Sequence, residues 1–279
     1  MPSDTAKISG LQKLNHIVVV VLENWSFDSL YGEFSGAAGL SNAESAPPQI
    51  DDTGVAYQTL PQTETHLPQT LPNAPFALDS YIPSNADTST DLTANFYEEQ
   101  RQDETDFLTA AQNGSLPAVS FLKPAAIDDE HPNYTNVING ESHVLQLIDA
   151  VRNGPNWADS AIIVTYDENG GFWDHVSPPA GDQWGPGTRV PTLVVSPFAK
   201  KGFVDTTVYD TSSILALIEK RWGLEPLGTR DRAAADSSAT EHISPVISSC
   251  PPPQKTLQWN GRCQALSGLS WMRVRRNSW

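Results

Sequence analysis

Cysteine is scarce. Among 279 residues only Cys250 and Cys263 occur. One bridge closing a short loop is open to them, but a disulfide framework or a cysteine-based zinc site is excluded. Charged residues are also few, at 18%, and positive charge is the scarcer sign: 17 Lys+Arg against 33 Asp+Glu leave a net charge of −16. Such a balance argues against a nucleic-acid binder, which needs clustered Lys and Arg against the phosphate backbone. Long apolar runs are missing too. The longest, Ile17 to Leu22, is far short of the roughly 20 residues that a transmembrane helix needs. No export signal is visible, so a soluble, cytoplasmic protein is the default expectation. Hydrophobic residues nevertheless make up 39%, enough for a packed core and against wholesale disorder.

The elements present are those of an α/β protein. HIVVVVLEN, His16 to Asn24, carries a β-branched run and reads as a strand buried on both faces of a parallel sheet. A short helical turn, WSFDSLYG, follows it to Gly32, with Asp28 a candidate cap. Residues 43–92 are rich in Pro, Thr, Asp and Gln without periodicity and read as a long irregular segment. Helical spacing returns over 91–111, closed by Asn113-Gly114, and AVSFL (Ala118 to Leu122) reads as another buried strand. ESHVLQLIDAVR, with Val144, Leu147, Ile148 and Val151 on one face, predicts a helix over 141–152. AIIVTY (161–166) and PTLVVS (191–196) predict two more strands. Thr211 to Trp222 predicts a helix capped by Asp210 or Thr211 and ended by Gly223. Strands alternating with helices predict a mostly parallel sheet.

The end of the chain differs in charge. After Glu241 there is no acid, while Lys255, Arg262, Arg273, Arg275 and Arg276 are basic, and Trp259, Trp271 and Trp279 cluster there. The expected division is a domain over 1–240 and a poorly ordered basic, Trp-containing tail over 241–279.

The chemistry is expected at two strand ends. Glu23-Asn24 closes the first strand and Asp167-Glu168 closes AIIVTY. Ligands of parallel α/β sheets gather outside the carboxyl ends of the strands, so both sites can face one crevice. Neighbouring side chains in a strand point to opposite faces, so Asp167 and Glu168 serve one centre only if the chain turns there. Asn169-Gly170-Gly171 permits that turn. Three carboxylates and an amide oxygen repel or crowd one another unless a cation sits among them, and oxygen ligands suit Ca²⁺, Mg²⁺ or Mn²⁺. Solvated turns and helix caps remain the alternative for such acid pairs. His131, in DDEHPNY, and His175, in DHV, offer imidazoles that can bind phosphate oxygen, protonate a leaving group or ligate metal, or else act as structural residues.

Taken together, LENWSFDSLYG, KPAAIDDEHPNY, TYDENGGFWDHVSPP, GTRVPTLVVSPFAKKGFVD and YDTSSILALIEKRWGL resemble the phosphoesterase family of microbial acid phosphatases and phospholipases of the C type, in family order over most of 14–232. The resemblance implies an alkaline-phosphatase-like α/β fold, shortened, and metal-assisted hydrolysis of phosphate esters. The substrate it implies is a small phosphate mono- or diester, with a phospholipid headgroup among the candidates. By position it makes Glu23 and Asn24 the first pair of metal ligands and Asp167 and Glu168 the second. His131 stands near the bound phosphate, and His175 supports the same pocket. The implied cofactor is a divalent ion (Ca, Mg, Mn or Zn), and family relatives are often secreted or periplasmic. Family members also carry a long middle segment holding a hydroxyl nucleophile. Here Gln100 runs almost directly into Asp103, and no Ser or Thr matches that nucleophile. The alternative is therefore an inactive, shortened remnant that keeps an ion- or phosphate-binding pocket.

Overall fold

The computed structural model describes residues 11–45, 48–49, 53–59, 70–71, 73–74, 76–77, 94–132, 135–179, 187–235 and 277–278, with the backbone alone at 44–45, 76–77, 94–103 and 277–278. In chain order the strands are β1 (His16–Leu22), β2 (Phe76–Ala77), β3 (Val119–Leu122), β4 (Ser160–Tyr166), β5 (Thr192–Val195) and β6 (Asn277–Ser278). The helices are α1 (Phe27–Tyr31), α2 (Ala94–Asn113), α3 (Val137–Arg152), α4 (Ser212–Trp222) and α5 (Thr229–Ala233). The main sheet has the order β3-β1-β4-β5. β1 is parallel to both β3 and β4, and β5 is antiparallel to β4. This is the expected mostly parallel α/β sheet.

The two-residue period of a strand divides the core. Val18, Val20, Leu22, Ile162, Val164 and Tyr166 face α2 and α3, meeting Phe107, Ala111, Val144, Leu147, Ile148 and Val151. The alternate set, Ile17, Val19, Ala161, Ile163 and Val194, packs on Leu11, Leu14 and Leu217. Helices thus cover both faces, which is why every residue of β4 is buried and the strand shows no polar alternation. Parallel neighbours need crossover connections, and α2 and α3 supply them on one face.

Three expectations need correction. AVSFL is not a buried strand: β3 lies at the edge of the sheet and Phe121 is 58% exposed. α3 begins four residues before 141, capped by Asn136, whose Oδ1 accepts from Asn139 N at 3.0 Å. Asp28 does not cap α1. Ser26 does, accepting from Ser29 N at 3.2 Å. At α4 the expected caps hold: Asp210 Oδ1 accepts from Ser213 N at 3.2 Å, and Gly223 takes φ 65° beyond the last turn. Within 43–92, the described stretches are turns with one 3₁₀ segment at Leu40–Ser45, and β2 pairs antiparallel with β6. Most of the tail over 241–279, including Cys250 and Cys263, lies outside the described residues. Among those described, no helix is long and apolar enough to cross a membrane.

One ionic tie joins α2 to α3. His143 Nε2 lies 2.9 Å from Glu104 Oε2, and Nδ1 lies 3.9 Å from Asp128 Oδ2. Burial alone would depress this imidazole's pKa, but the hydrogen bond and charge of Glu104, with Asp128 behind, raise it above the ordinary 6.5. A raised folded pKa means that the imidazolium's stabilisation is complete below the unfolded value and disappears as pH rises through the folded one. Thermal melts of the wild type should therefore fall from pH 6 to pH 8.5. His143→Gln should melt a few degrees lower at pH 6, about 1 kcal/mol, and show a flatter profile over that range.

Candidate functional site

Geometry at the carboxyl ends of β1 and β4 follows from register. Leu22 pairs with Tyr166, so Glu23-Asn24 and Asp167-Glu168 leave the sheet side by side. The ladder runs one step further, with Asp167 N donating to Leu22 O at 3.0 Å and Trp25 N to Glu168 O at 3.1 Å. Both chains then turn. Asn24 sits at φ 67° and Gly170 at φ 60°, and a Cβ on Gly170 would fall 2.5 Å from the Asn24 carbonyl oxygen. Only glycine fits that approach. Trp25 is buried beneath the turn and stacks on Phe172 at 4.3 Å.

A third strand end contributes the charge. Lys123, just past β3, places Nζ 2.6 Å from Glu23 Oε1 and 3.2 Å from Asp167 Oδ2. Asp167 Oδ1 also accepts from Glu168 N at 2.7 Å and Asn24 N at 3.3 Å. Glu168 is exposed, and its carboxylate has no ionic partner among the described residues. His131 Nε2 stands 3.9 Å from Glu23 Oε2, too far for a hydrogen bond. Beside it the Asp129 carboxyl is pushed up to about 7, first by burial and then by the charges of Glu23 and Asp167. The His131 N–H and the Lys123 charge pull it back. Asp129 also accepts His131 N at 2.8 Å and, through its carbonyl, Glu23 N at 3.0 Å.

Glu130 fixes this loop from below. It is buried, at φ 70°, and its Oε2 accepts from Tyr166 Oη at 2.6 Å while its carbonyl accepts from Trp25 Nε1 at 2.7 Å. A Cβ at position 140 would lie 2.1 Å from Glu130 Cγ, so Gly140 in α3 makes room for the acid. Burial, with the nearby Glu130 charge, raises both Tyr31 and Tyr166 well above the usual phenol range, so the phenols stay protonated and can donate.

His175 sits in a different cluster. Its Nδ1 and its backbone N both reach Asp28 Oδ2, at 2.6 and 2.7 Å. Arg189 joins Asp28 Oδ1 at 3.1 Å to Asp174 Oδ2 at 3.1 Å, donates to Ala38 O at 2.8 Å, and lies 4.1 Å over the Phe27 ring. Asp174 Oδ2 also accepts from Asp28 N at 3.1 Å. Burial, and next the Asp28 charge, raise the Asp174 carboxyl, which Arg189 partly offsets. Ligand atoms of Asp28, Asp174 and His175 lie within 4.8 Å of one another. The guanidinium already supplies the positive charge there, so the cluster is a lock that ties the helical turn α1 to the segments around 174 and 189. The β1–β4 junction differs: its donors are oxygens, it is half open, and its positive charge is the partly exposed Lys123 ammonium. That donor set fits a hard divalent cation.

The structure thus brings Glu23, Asn24, Asp167 and Glu168 together at one junction, puts His131 at its rim and leaves His175 in the lock. Sequence reasoning missed Lys123, Asp129, Glu130 and Arg189. For Lys123 a signal existed, since Lys123-Pro124 ends a parallel strand as the two acid pairs do.

Acidic residues at the carboxyl ends of the central strands stand where open α/β sheets hold their ligands. The Phosphoesterase family profile matches residues 14–104 and 84–225, and the chain belongs to this family. It is similar to non-specific phospholipase C6 of Arabidopsis thaliana, 32% identical over 179 residues, covering 52% of this chain and 34% of that protein. A non-hemolytic phospholipase C of Burkholderia pseudomallei is 37% identical over 138 residues, covering 40% and 20%. Phospholipase C A of Mycobacterium tuberculosis strain H37Rv is 32% identical over 143 residues, covering 43% and 28%. The aligned stretches thus span between 20% and 34% of these relatives' own lengths.

Removing the guanidinium leaves Asp174 buried with only backbone N–H donors and Asp28 buried with His175 as its remaining side-chain partner. Arg189→Ala should therefore cost about 3–5 kcal/mol in urea unfolding, and Arg189→Lys should recover only part because it cannot bridge both acids bidentately.

Proposed function

We propose that the chain is a metal-assisted hydrolase of phosphate esters, with a divalent cation held by Glu23, Asn24, Asp167 and Glu168. The observation that carries this reading is the in-register β1–β4 junction, where the carboxylates of Glu23 and Asp167, one from each strand end, meet around the Lys123 ammonium. A divalent ion bound there would polarise a phosphoryl oxygen and neutralise charge developing at phosphorus. In this reading His131, at the rim with its backbone N–H on Asp129 Oδ1, donates a proton to phosphate oxygen or to the departing alcohol. His175 acts at one remove, fixing α1 through Asp28. Hydrolysis breaks the ester P–O bond, adds the elements of water and releases an alcohol and a phosphate. Substrates in this reading are phosphate mono- or diesters, and the phospholipase C names of the relatives favour a phospholipid headgroup among them.

A second reading, a non-catalytic remnant that binds an ion or phosphate, draws on a specific observation. Among the described residues no serine or threonine hydroxyl bonds to the Glu23, Asp167 or Glu168 carboxylates.

Purified chain should be assayed with aryl phosphate mono- and diesters and with phosphatidylcholine vesicles, with Mn²⁺ or Mg²⁺ and with chelator, beside Asp167→Asn. The hydrolase reading expects metal-dependent turnover that falls at least about 100-fold in the variant. Metal-induced thermal stabilisation without turnover would favour the remnant, and no stabilisation would refute the metal site.

A further inference from the structure

Among the described residues at the junction, Lys123 brings the charge opposite to that of the acids, and strand pairing sets where its backbone stands. Leu122 pairs with Val20 in β1, so the Lys123 backbone lies level with Val21, two residues short of Glu23. The lysine stem spans that gap and sets a compact ammonium between Glu23 Oε1 and Asp167 Oδ2. Pro124 disfavours a helical backbone at Lys123, so the chain leaves β3 without turning into a helix there. Nζ therefore occupies ligand oxygens that the proposed cation needs. Two positive centres sharing Glu23 and Asp167 repel each other, so both cannot keep these contacts at once.

We propose that Lys123 is the internal counter-cation of this site and exchanges with the divalent ion. This inference rests on the metal reading of the junction given above. Without metal, the ammonium holds the two strand-end carboxylates together. When metal binds, it must displace the ammonium from Glu23 and Asp167, so the measured affinity is the intrinsic affinity reduced by the cost of breaking two ion pairs. The pairs are partly exposed, with Lys123 at 34% and Glu23 at 22% side-chain exposure, so the reduction is modest and not prohibitive.

Two readouts test the exchange on the full chain. Mn²⁺ binding is measured by calorimetry for the wild type, Lys123→Met and Lys123→Gln, and thermal melts are recorded in chelator for Lys123→Met, Glu23→Gln and the double variant. The exchange predicts Mn²⁺ binding about fivefold to tenfold tighter in both lysine variants. It also predicts that Lys123→Met lowers the melt in chelator and that this deficit shrinks in the Glu23→Gln background. Wild-type Mn²⁺ binding that is unchanged or tighter than in the variants would overturn the exchange and leave the metal site standing. No Mn²⁺ binding by any variant would overturn the site reading and the exchange together. A deficit in chelator that persists undiminished in the double variant would overturn the counter-cation role.

Discussion

The seven-residue, in-register pairing of β1 with β4 is the constraint from which the site follows. These strands are central in the sheet and buried on both faces, so their register is set by two hydrophobic clusters at once. A slip of β1 by one residue would send Val18, Val20 and Leu22 to the face of α4 and would separate Glu23 from Asp167. The position of the acids is thus a by-product of core packing. Gly170 makes the same demand locally, because the turn that brings Asp167 round touches the Asn24 carbonyl.

Charge is treated in two ways around that frame. At Asp28, Asp174 and Arg189 the compensating cation is a guanidinium bonded to both acids, and both carboxylates are buried. Such an arrangement stabilises by being complete and leaves little room for chemistry. At the junction the acids are half exposed and the cation is an ammonium on a flexible stem, close to a raised Asp129 and a histidine. Incomplete, solvent-accessible compensation of clustered carboxylates is what a reversible cation site requires.

How far the sequence disclosed this varies by residue. β-branched runs made β1 and β4 readable, and Asp210, Ser213 and Gly223 marked both ends of α4. Phe121 misled because an edge strand can carry an apolar residue outward, which composition does not reveal. Asn139-Gly140 resembles a loop, yet the glycine is there because Glu130 occupies the space a side chain would fill. Arg189 and Asp28 are separated by 161 residues, so their pairing depends wholly on tertiary structure. Lys123 lies between these cases: its place after a strand was visible, and its bridging of Glu23 and Asp167 was not.

The measurement that tests the account most directly is anomalous difference density from Mn²⁺-soaked crystals of the full chain. The account predicts one strong peak at the carboxyl ends of β1 and β4, within ligand distance of Glu23 and Asp167, with Lys123 Nζ moved off both acids. A peak at Asp28, Asp174 and His175, or none at the junction at saturating Mn²⁺, would contradict it.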